Sequence, residues 1–349
     1  MDDTIEVRAD ERFDEERLAA YLRGRLPGAE APLRVRQFGG GAANLTYLLD
    51  YGTVEYVLRR PPLGPVAPSA HDMGREWTVL SVLHRAFPLA PQALHYCADA
   101  SVIGAPFFIM ERQHGVVVRR SMPAEFAGIA DAPRRMSTAL IDALADFHTV
   151  DYIALGLQGL GKPDGFVTRQ IEGWYRRWQA AAAEAVPEMD AVYVWLRTHQ
   201  PPEGPPTLVH NDYKLDNVML APDDPRRIVA VFDWDMCTLG DPLNDLGALL
   251  AYWSDPDDPP ELRAISTMPT VDGFLRREEC VERYAARSGR DVSAIGFYHA
   301  LGLFRLAVII AQISIRYLRG QTADERFKEF GPQVPILARA AAAIAESKT

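Results

Sequence analysis

The chain has 349 residues, of which 48% are hydrophobic and 24% are charged. This composition is typical of a globular protein, so it excludes intrinsic disorder and a small disulfide-stapled fold. The net charge is −10, and no run of lysine and arginine exceeds two residues, so the sequence disfavours a nucleic-acid-binding protein, which needs a basic surface.

The sequence shows no export or membrane signal. The amino terminus is acidic and lacks the basic-then-apolar pattern of a signal peptide. The most apolar stretch, Leu301 to Leu318, is interrupted by arginine and glutamine, so we predict a buried helix and no membrane anchor. Three scattered cysteines form no CxxC pair and are expected to be reduced core residues of a cytoplasmic protein: Cys97, Cys237 and Cys280.

The first third of the chain is predicted to form strands with one helix. Three short strands form a β-meander: Leu33 to Phe38, Asn44 to Asp50, and Val54 to Arg60. A glycine loop lies at the first bend of this meander: Gly39, Gly40 and Gly41. A helix is predicted to begin near Asp72, and a buried strand follows at Phe107 to Glu111.

From about Pro133 the apolar residues follow a helical period. Helices are predicted from there to Phe147 and in six later segments: Arg169 to Ala185, Asp190 to Thr198, Leu243 to Trp253, Arg276 to Ser288, Ile295 to Leu318, and Val334 to Ser347. A non-helical hairpin interrupts this series. We therefore predict an α+β fold with two lobes, a small β-rich lobe over residues 1–112 and a larger, mainly helical lobe over residues 113–349.

The hairpin segment is unusually rich in aspartate. From His210 to Asp245 there are eight aspartates, no glutamate and three basic residues. Helix formation does not explain this enrichment, because aspartate is a poor helix former. Asp223 and Asp224 lie between two prolines and are expected to be turn residues. Asp212 and Asp233 instead lie just after apolar strands, where strands lead into loops.

These positions predict a metal site. Strands joined by a short hairpin run about 4.8 Å apart, so Asn217, before the first hairpin strand, and Asp233, after the second, are expected to converge. Their amide and carboxylate oxygens suit Mg²⁺ that retains waters and binds substrate phosphates. Asp212 is expected near the metal without ligating it. The spacing suits phosphoryl transfer, in which one carboxylate orients a hydroxyl nucleophile.

Three motifs in this segment resemble one superfamily. HNDYKLDN at 210–217 resembles the catalytic loop of the aminoglycoside phosphotransferase and choline kinase-like superfamily, relatives of protein kinases. VFDWD at 231–235 resembles its metal-binding strand end, and GDPLNDLGALL at 240–250 resembles the segment that follows. The resemblance covers about residues 33–320 and implies a protein-kinase-like fold.

The resemblance also implies roles for individual residues. Asp212 would accept or orient the proton of the substrate hydroxyl, and Asn217 and Asp233 would be the Mg²⁺ ligands. Lys214 matches the place where many protein kinases direct a lysine toward the γ-phosphate. The alternative for Lys214 is a solvated loop lysine. His210 is expected to hold the loop through hydrogen bonds.

Three more aspartates follow the metal-binding strand end. Asp235 either contacts a second metal or caps a turn. Asp241 and Asp245 are expected to cap and brace the following helix.

The upstream lobe is expected to bind ATP or GTP. In this superfamily a basic residue on the third strand holds the α- and β-phosphates and pairs with a glutamate on the next helix. These positions correspond to Arg59 and Glu76. The alternative is a surface ion pair, worth only about 0–1 kcal/mol. Arginine departs from the usual lysine but remains cationic.

Two further segments match nucleotide-binding elements of the superfamily. The glycines Gly39 to Gly41 resemble its phosphate-covering turn, although neither a Walker A lysine nor GxGxxG is present. The segment Met110, Glu111 and Arg112 matches the hinge whose backbone would contact the adenine edge.

The identity of the acceptor is left open by the sequence. YVLRRPPLG, HNDYKLDN and FRLAVIIAQISIRYLRG look most like kinase-like domains that occur alone in bacteria or fused to acyl-CoA dehydrogenases. This suggests a hydroxyacyl compound, for which Arg305, Arg316 and Arg319 would form a basic patch. An acidic cleft would favour an amino sugar or amino alcohol instead. The alternative to an enzyme is a nucleotide-binding regulatory module, a pseudokinase, which only the lysine-to-arginine departure supports.

Overall fold

The structure is a computed structural model that describes residues 4–39, 44–62, 72–322 and 325–347. The chain divides into two compact units, Met1–His114 with Val229–Cys237, and Gly115–Ile228 with Thr238–Thr349. The predicted division assigned all of 113–349 to the second lobe, whereas in the structure the segment Val229–Cys237 belongs to the first unit. Val231 N donates to Leu89 O at 2.7 Å. This bond, together with the packing of Trp234, accounts for the segment's place in the first unit.

One antiparallel sheet dominates the first unit. In the described part of this unit, six strands lie in the order β1-β2-β3-β4-β6-β5. The strands are β1 (Thr4–Ile5), β2 (Arg34–Phe38), β3 (Leu45–Asp50), β4 (Glu55–Arg60), β5 (Ala93–Cys97) and β6 (Phe107–Glu111). The helices are α1 (Glu15–Leu22) and α2 (Met73–Leu83). The three meander strands and β6 confirm the predicted strands to within a residue.

The predicted helix start near Asp72 is also confirmed. The Asp72 side chain accepts a hydrogen bond from Arg75 N at 3.1 Å and caps α2. Helix α1 was not predicted, although its apolar residues Leu18 and Leu22 are spaced by four and both are buried. They pack with Leu58 of β4 in a fully buried core.

The second unit contains the remaining elements, except for the last residues of β10 from Val229, which belong to the first unit. Its helices are α3 (Ala132–Phe147), α4 (Phe166–Ala181), α5 (Pro187–Thr198), α6 (Leu243–Tyr252), α7 (Pro260–Ile265), α8 (Arg277–Ser288), α9 (Ile295–Leu318) and α10 (Gln333–Glu346). Every predicted helix is present, and α7 was not predicted. The strands are β7 (Val116–Val117), β8 (Thr207–Val209), β9 (Val218–Ala221), β10 (Asp224–Val231) and β11 (Thr238–Gly240). Strands β10, β9 and β7 form one sheet, and β11 pairs with β8.

Helix α9 lies at the centre of the helical packing. It packs against α4, α5, α6 and α10. By length and composition it could cross a membrane, but 56% of its most apolar stretch is buried inside the protein, as expected for a core helix. Helices α6 and α9 approach closely at two glycines, because a Cβ on Gly302 would overlap the carbonyl oxygen of Gly247. The three cysteines are free and buried, as predicted.

Candidate active site

The candidate catalytic loop follows β8 and begins with a backbone reversal. Asn211 has φ of 64°, a left-handed conformation that asparagine tolerates better than most residues. This conformation turns the chain between His210 and Asp212. The His210 ring agrees with its predicted holding role, because its Nδ1 accepts a hydrogen bond from Asp212 N at 3.2 Å.

Asp245 of α6 holds this reversal in place. Its carboxylate accepts hydrogen bonds from His210 N at 2.6 Å and from Asn211 N at 2.7 Å. Its side chain is completely buried. Asp245 was expected to brace the helix that contains it, but it braces the candidate catalytic loop. Asp241, in contrast, caps the helix as expected, since its side chain accepts from Leu243 N at 2.9 Å.

A buried histidine supports Asp245. His148 Nε2 lies 3.2 Å from the Asp245 carboxylate, and its Nδ1 lies 2.7 Å from the hydroxyl of Tyr284. Burial lowers the pKa of His148 in spite of the carboxylate, so the neutral imidazole donates through Nε2 and accepts through Nδ1. Burial alone would raise the pKa of Asp245, but the bond from His148 and the backbone N–H of His210 lower it. Asp245 is therefore an anion that anchors two backbone amides.

Asp212, Lys214 and Asn217 come together in the second unit. Lys214 Nζ lies 3.0 Å from Asp212 Oδ2. Asn217 Nδ2 donates to the same oxygen at 2.9 Å and to Asp212 O at 2.8 Å. This orientation leaves the amide oxygen of Asn217 available as a ligand.

Lys214 is not a solvated loop lysine, so that alternative is wrong. Its side chain is only 18% exposed, and Nζ lies 5.1 Å from the centre of the Tyr252 ring. Burial alone would lower the pKa of Lys214, but Asp212 raises it above its usual value. The lysine is therefore charged and directed at the candidate catalytic carboxylate.

The first unit brings together Arg59, Glu76 and Asp233. The Arg59 guanidinium lies 3.0 Å from Glu76 and 3.0 Å from Asp233. The side chains of Arg59 and Glu76 are 9% and 0% exposed, so the surface ion pair considered above is wrong. Burial raises the pKa of Glu76 to about 8, and Arg59 offsets this only in part. A role for this group in nucleotide binding stays a prediction.

Asp233 begins the loop after β10. Its φ of 68° places it in the left-handed region, as for Asn211 before the candidate catalytic aspartate. Trp234, the next residue, is buried, and its Nε1 donates to Val231 O at 2.7 Å. Asp235 accepts a hydrogen bond from Asn44 Nδ2 at 3.2 Å.

The other predicted nucleotide-binding residues lie at the ends of strands. Gly39 lies in the turn after β2, whereas Gly40 and Gly41 fall outside the described residues. Met110 and Glu111 are the last two residues of β6. The guanidinium of Arg112 lies 4.6 Å from the centre of a phenylalanine ring on β2.

Four residues around the catalytic loop were missed by the sequence reasoning in this role: Asn211, Asp245, His148 and Arg305. Arg305 of α9 donates a hydrogen bond to Asn211 O. Asp245 and Arg305 each carry a signal, since both are charged residues inside strongly apolar helices. Asn211 and His148 have no comparable signal in the sequence.

The described residues contain no group of three or more His, Cys, Asp or Glu side chains arranged to hold a metal ion. A site of the predicted kind would use an amide oxygen in addition to carboxylates. The free oxygen of Asn217 and the carboxylate of Asp233 are both hard donors, so their chemistry fits Mg²⁺.

The fold and these loops define a kinase-like phosphotransferase. Residues 34–280 match the model of the APH family, described as the phosphotransferase enzyme family. The match covers more than half of the chain, so the protein belongs to the APH phosphotransferase family. The predicted superfamily and the α+β, protein-kinase-like fold class are confirmed.

Among curated proteins, the chain is similar to acyl-CoA dehydrogenase family member 11. The rat (Rattus norvegicus) protein is 36% identical over 333 residues, which cover 93% of this chain and 42% of that protein. The chicken (Gallus gallus) protein is 35% identical over 346 residues, which cover 96% of this chain and 44% of that protein. The chain thus spans less than half the length of these relatives.

Solved structures show the same fold. A Ralstonia eutropha protein, solved as a candidate aminoglycoside phosphotransferase, has 32% identity and a TM-score of 0.82, with 96% of this chain and 99% of that chain covered. The aminoglycoside phosphotransferase APH(4)-Ia, solved with AMP-PNP and hygromycin B, has 15% identity and a TM-score of 0.59, with 95% and 99% covered. The second likeness shows the fold alone.

Proposed function

We propose that this protein transfers the γ-phosphoryl group of ATP or GTP to a hydroxyl group of a small molecule. The observation that carries the proposal is the Asp212 carboxylate, which lies 3.0 Å from Lys214 Nζ on a loop anchored by buried Asp245. Membership of a phosphotransferase family supports the same conclusion. The loop is held in one conformation, as positioning for phosphoryl transfer requires.

The proposed reaction needs one proton acceptor. The acceptor hydroxyl oxygen attacks the γ-phosphorus, and its proton passes to the Asp212 carboxylate. The bond between the γ-phosphorus and the bridging oxygen of the β-phosphate breaks, and the nucleoside diphosphate leaves. Lys214 neutralises negative charge on the phosphoryl group in transit. The proton later returns from Asp212 to solvent.

Asn217 and Asp233 are the proposed ligands of Mg²⁺. The amide oxygen of Asn217 is oriented away from its bonds to Asp212, and Asp233 supplies a carboxylate. Bound Mg²⁺ would neutralise charge on the β- and γ-phosphates. The order of these residues in the sequence supports this assignment.

Nucleotide binding is proposed for the first unit. Arg59 would hold the α- and β-phosphates, with Glu76 as its buried counter-ion, and the backbone of residues 110–112 would contact the base. Gly39 to Gly41 would cover the phosphates. APH(4)-Ia has been solved with AMP-PNP and with ADP, and this supports a nucleotide co-substrate for the present chain.

The proposed acceptor classes are a hydroxyacyl compound, an amino sugar and an amino alcohol. The name of the curated relatives, acyl-CoA dehydrogenase family member 11, favours the hydroxyacyl compound. Hygromycin B in APH(4)-Ia and spectinomycin in APH(9)-Ia are examples of the other classes. The acceptor should be found by screening these three classes for gain of one phosphate by mass.

The test of the function is the variant Asp212→Asn. It removes the proton acceptor but preserves the size of the side chain, so turnover should fall roughly 10²- to 10⁴-fold. The thermal shift produced by Mg-ATP should remain. Asp223→Asn is the matched control, because Asp223 pairs with Arg227 in an exposed turn and its loss should leave turnover unchanged.

Two results would contradict the proposal. Nucleotide-stimulated stabilisation without ATP hydrolysis or acceptor phosphorylation, identical in the wild type and Asp212→Asn, would favour the nucleotide-binding regulatory module. The absence of any thermal shift with millimolar ATP or GTP and Mg²⁺ would remove both functions.

A further inference from the structure

Arg305 is a buried cation beside the candidate catalytic loop. It lies in the middle of α9 and is 6% exposed. Within the described chain its only hydrogen-bond partner is Asn211 O, and no carboxylate lies within ion-pair distance of its guanidinium. The guanidinium nitrogens of Arg305 that do not bond to Asn211 O remain accessible to solvent. A buried charge without a counter-ion is costly unless an anion completes the site.

A second cation lies at the same aromatic ring. The guanidinium of Arg177 is 4.4 Å from the centre of the Trp174 ring, and that of Arg305 is 5.1 Å from it. Trp174 itself is buried, and its Nε1 donates to Gln170 at 3.1 Å. Burial and repulsion from Arg305 lower the pKa of Arg177. The two guanidinium groups therefore lie near the same indole ring and repel each other.

Neither arginine forms an ion pair with a carboxylate of the described residues. Asp212 is engaged by Lys214 at 3.0 Å and by Asn217 at 2.9 Å. Tyr252 experiences the fields of Asp212 and Asp216 as well as those of Lys214 and Arg305. The Asp212 carboxylate is compensated by Lys214, so it does not serve as a counter-ion of the two arginines.

We propose that Arg305 and Arg177, whose guanidinium groups both lie near the Trp174 ring, bind a negatively charged group of the phosphate acceptor. This inference rests on the function proposed above. The acceptor would be a hydroxylated molecule that carries a carboxylate or a phosphate. Bidentate guanidinium groups suit both anions. The arrangement disfavours amino sugars and amino alcohols, whose positive charge the arginines would repel.

This site differs from the basic patch predicted from the sequence. Arg316 and Arg319 lie at the end of α9, about 16 Å and about 21 Å along the helix axis from Arg305 at about 1.5 Å per residue. The patch of Arg305, Arg316 and Arg319 stays a prediction, and the site proposed here uses only Arg305 from it. The second arginine, Arg177, lies three residues after Trp174 on α4, and the packing of α9 against α4 brings Arg305 to the same ring.

The test measures acceptor binding to the protein saturated with Mg-ADP, which occupies the nucleotide site. The probes are 3-hydroxybutyrate, its uncharged methyl ester, 3-hydroxybutyryl-CoA and kanamycin. The binding of each probe is measured by isothermal titration calorimetry. The anionic probes should bind, and Arg177→Gln should weaken their binding roughly 10- to 100-fold, as expected for a lost charge-assisted hydrogen bond. A preference for 3-hydroxybutyrate identifies a carboxylate, and a preference for the CoA ester identifies phosphates.

The matched control is Arg176→Gln, which removes the same charge from the neighbouring position on α4, exposed like Arg177, and should change affinity less than twofold. Arg305→Lys is the second variant, because it retains a donor for Asn211 O while losing the guanidinium. Equal binding of the methyl ester or kanamycin, binding of neither anionic probe, or equal effects of Arg176→Gln and Arg177→Gln would overturn the inference. Anion binding that depends on Arg177 without phosphoryl transfer would support it and contradict the proposed function instead.

Discussion

Replacing Asp245 with asparagine should destabilise the second unit without changing the shape of any side chain. The carboxylate accepts His210 N at 2.6 Å through one oxygen and Asn211 N at 2.7 Å through the other. An amide has only one acceptor oxygen, so its NH₂ group would face one of these backbone donors. The site is completely buried, and water cannot replace the lost acceptor.

The magnitude follows from these bonds. An unsatisfied buried donor costs about 1–3 kcal/mol, and the remaining bonds lose the extra strength that a charged acceptor gives, about 1 kcal/mol each. Together with the interrupted bond from His148, we expect Asp245→Asn to lower the free energy of unfolding by about 3–5 kcal/mol. For a unit of this size, this corresponds to roughly 6–20 °C in Tm.

Differential scanning calorimetry and urea denaturation at pH 7.5 would measure this loss. Asp241→Asn is the control, because Asp241 lies just before the same helix and asparagine can still accept its bond from Leu243 N at 2.9 Å, while its other oxygen accepts only a long bond from Gly204 N at 3.4 Å. The control should lose less than about 1 kcal/mol. Equal losses in the two variants would refute the reasoning that Asp245 anchors the loop through two backbone amides.

Three further predictions concern stability. Gly302→Ala should lower the free energy of unfolding by about 1–3 kcal/mol through overpacking, because its Cβ would overlap backbone atoms of α6. Gly173 faces open space on α4, so Gly173→Ala should instead raise the free energy of unfolding by about 0.5–1 kcal/mol. Equal melting temperatures of the two variants would contradict this. Burial lowers the pKa of His299 to about 3, so only the unfolded chain gains a proton as the pH falls below about 6.5. Stability should therefore decline from pH 6.5 to 5, and His299→Gln should remove about 1–2 kcal/mol of that decline in urea titrations; an unchanged pH slope would count against it. Arg59→Met should cost about 3 kcal/mol because it breaks the buried pairs of Arg59 with Glu76 and Asp233, whereas Arg59→Lys should retain most of the stability in the same titrations; equal losses would show that charge is not the cause.

Much of the fold could be predicted from apolar periodicity. The meander strands and the bounds of α9 follow from alternation and from a long helical period, and both signals are local. Helix α7, of six residues, was missed because one and a half turns give too little periodicity to detect. The pairing of Val229–Cys237 with the first unit depends on long-range contacts, and no local pattern contains these.

The candidate site was predictable in part. Asp212, Lys214 and Asn217 lie within a few residues of each other, so their spacing already suggested that they act together. Asp245 and Arg305 contact Asn211 from 34 and 94 residues away in the chain. A single sequence does not reveal which residues so far apart in the chain come into contact. A charged residue in an apolar helix indicates only that some partner is present.

The close approach of α6 and α9 couples the position of helix α9 to the position of the candidate catalytic loop. Asp245 of α6 accepts from Asn211 N, Arg305 of α9 donates to Asn211 O, and the two helices meet at Gly247 and Gly302 with no side chain to cushion a shift. Any sliding of α9 would therefore also move Asn211 and, with it, the neighbouring candidate catalytic carboxylate of Asp212. Evolution toward new compounds is therefore expected to proceed through substitutions on α4, whose surface can vary while the α6–α9 junction stays intact.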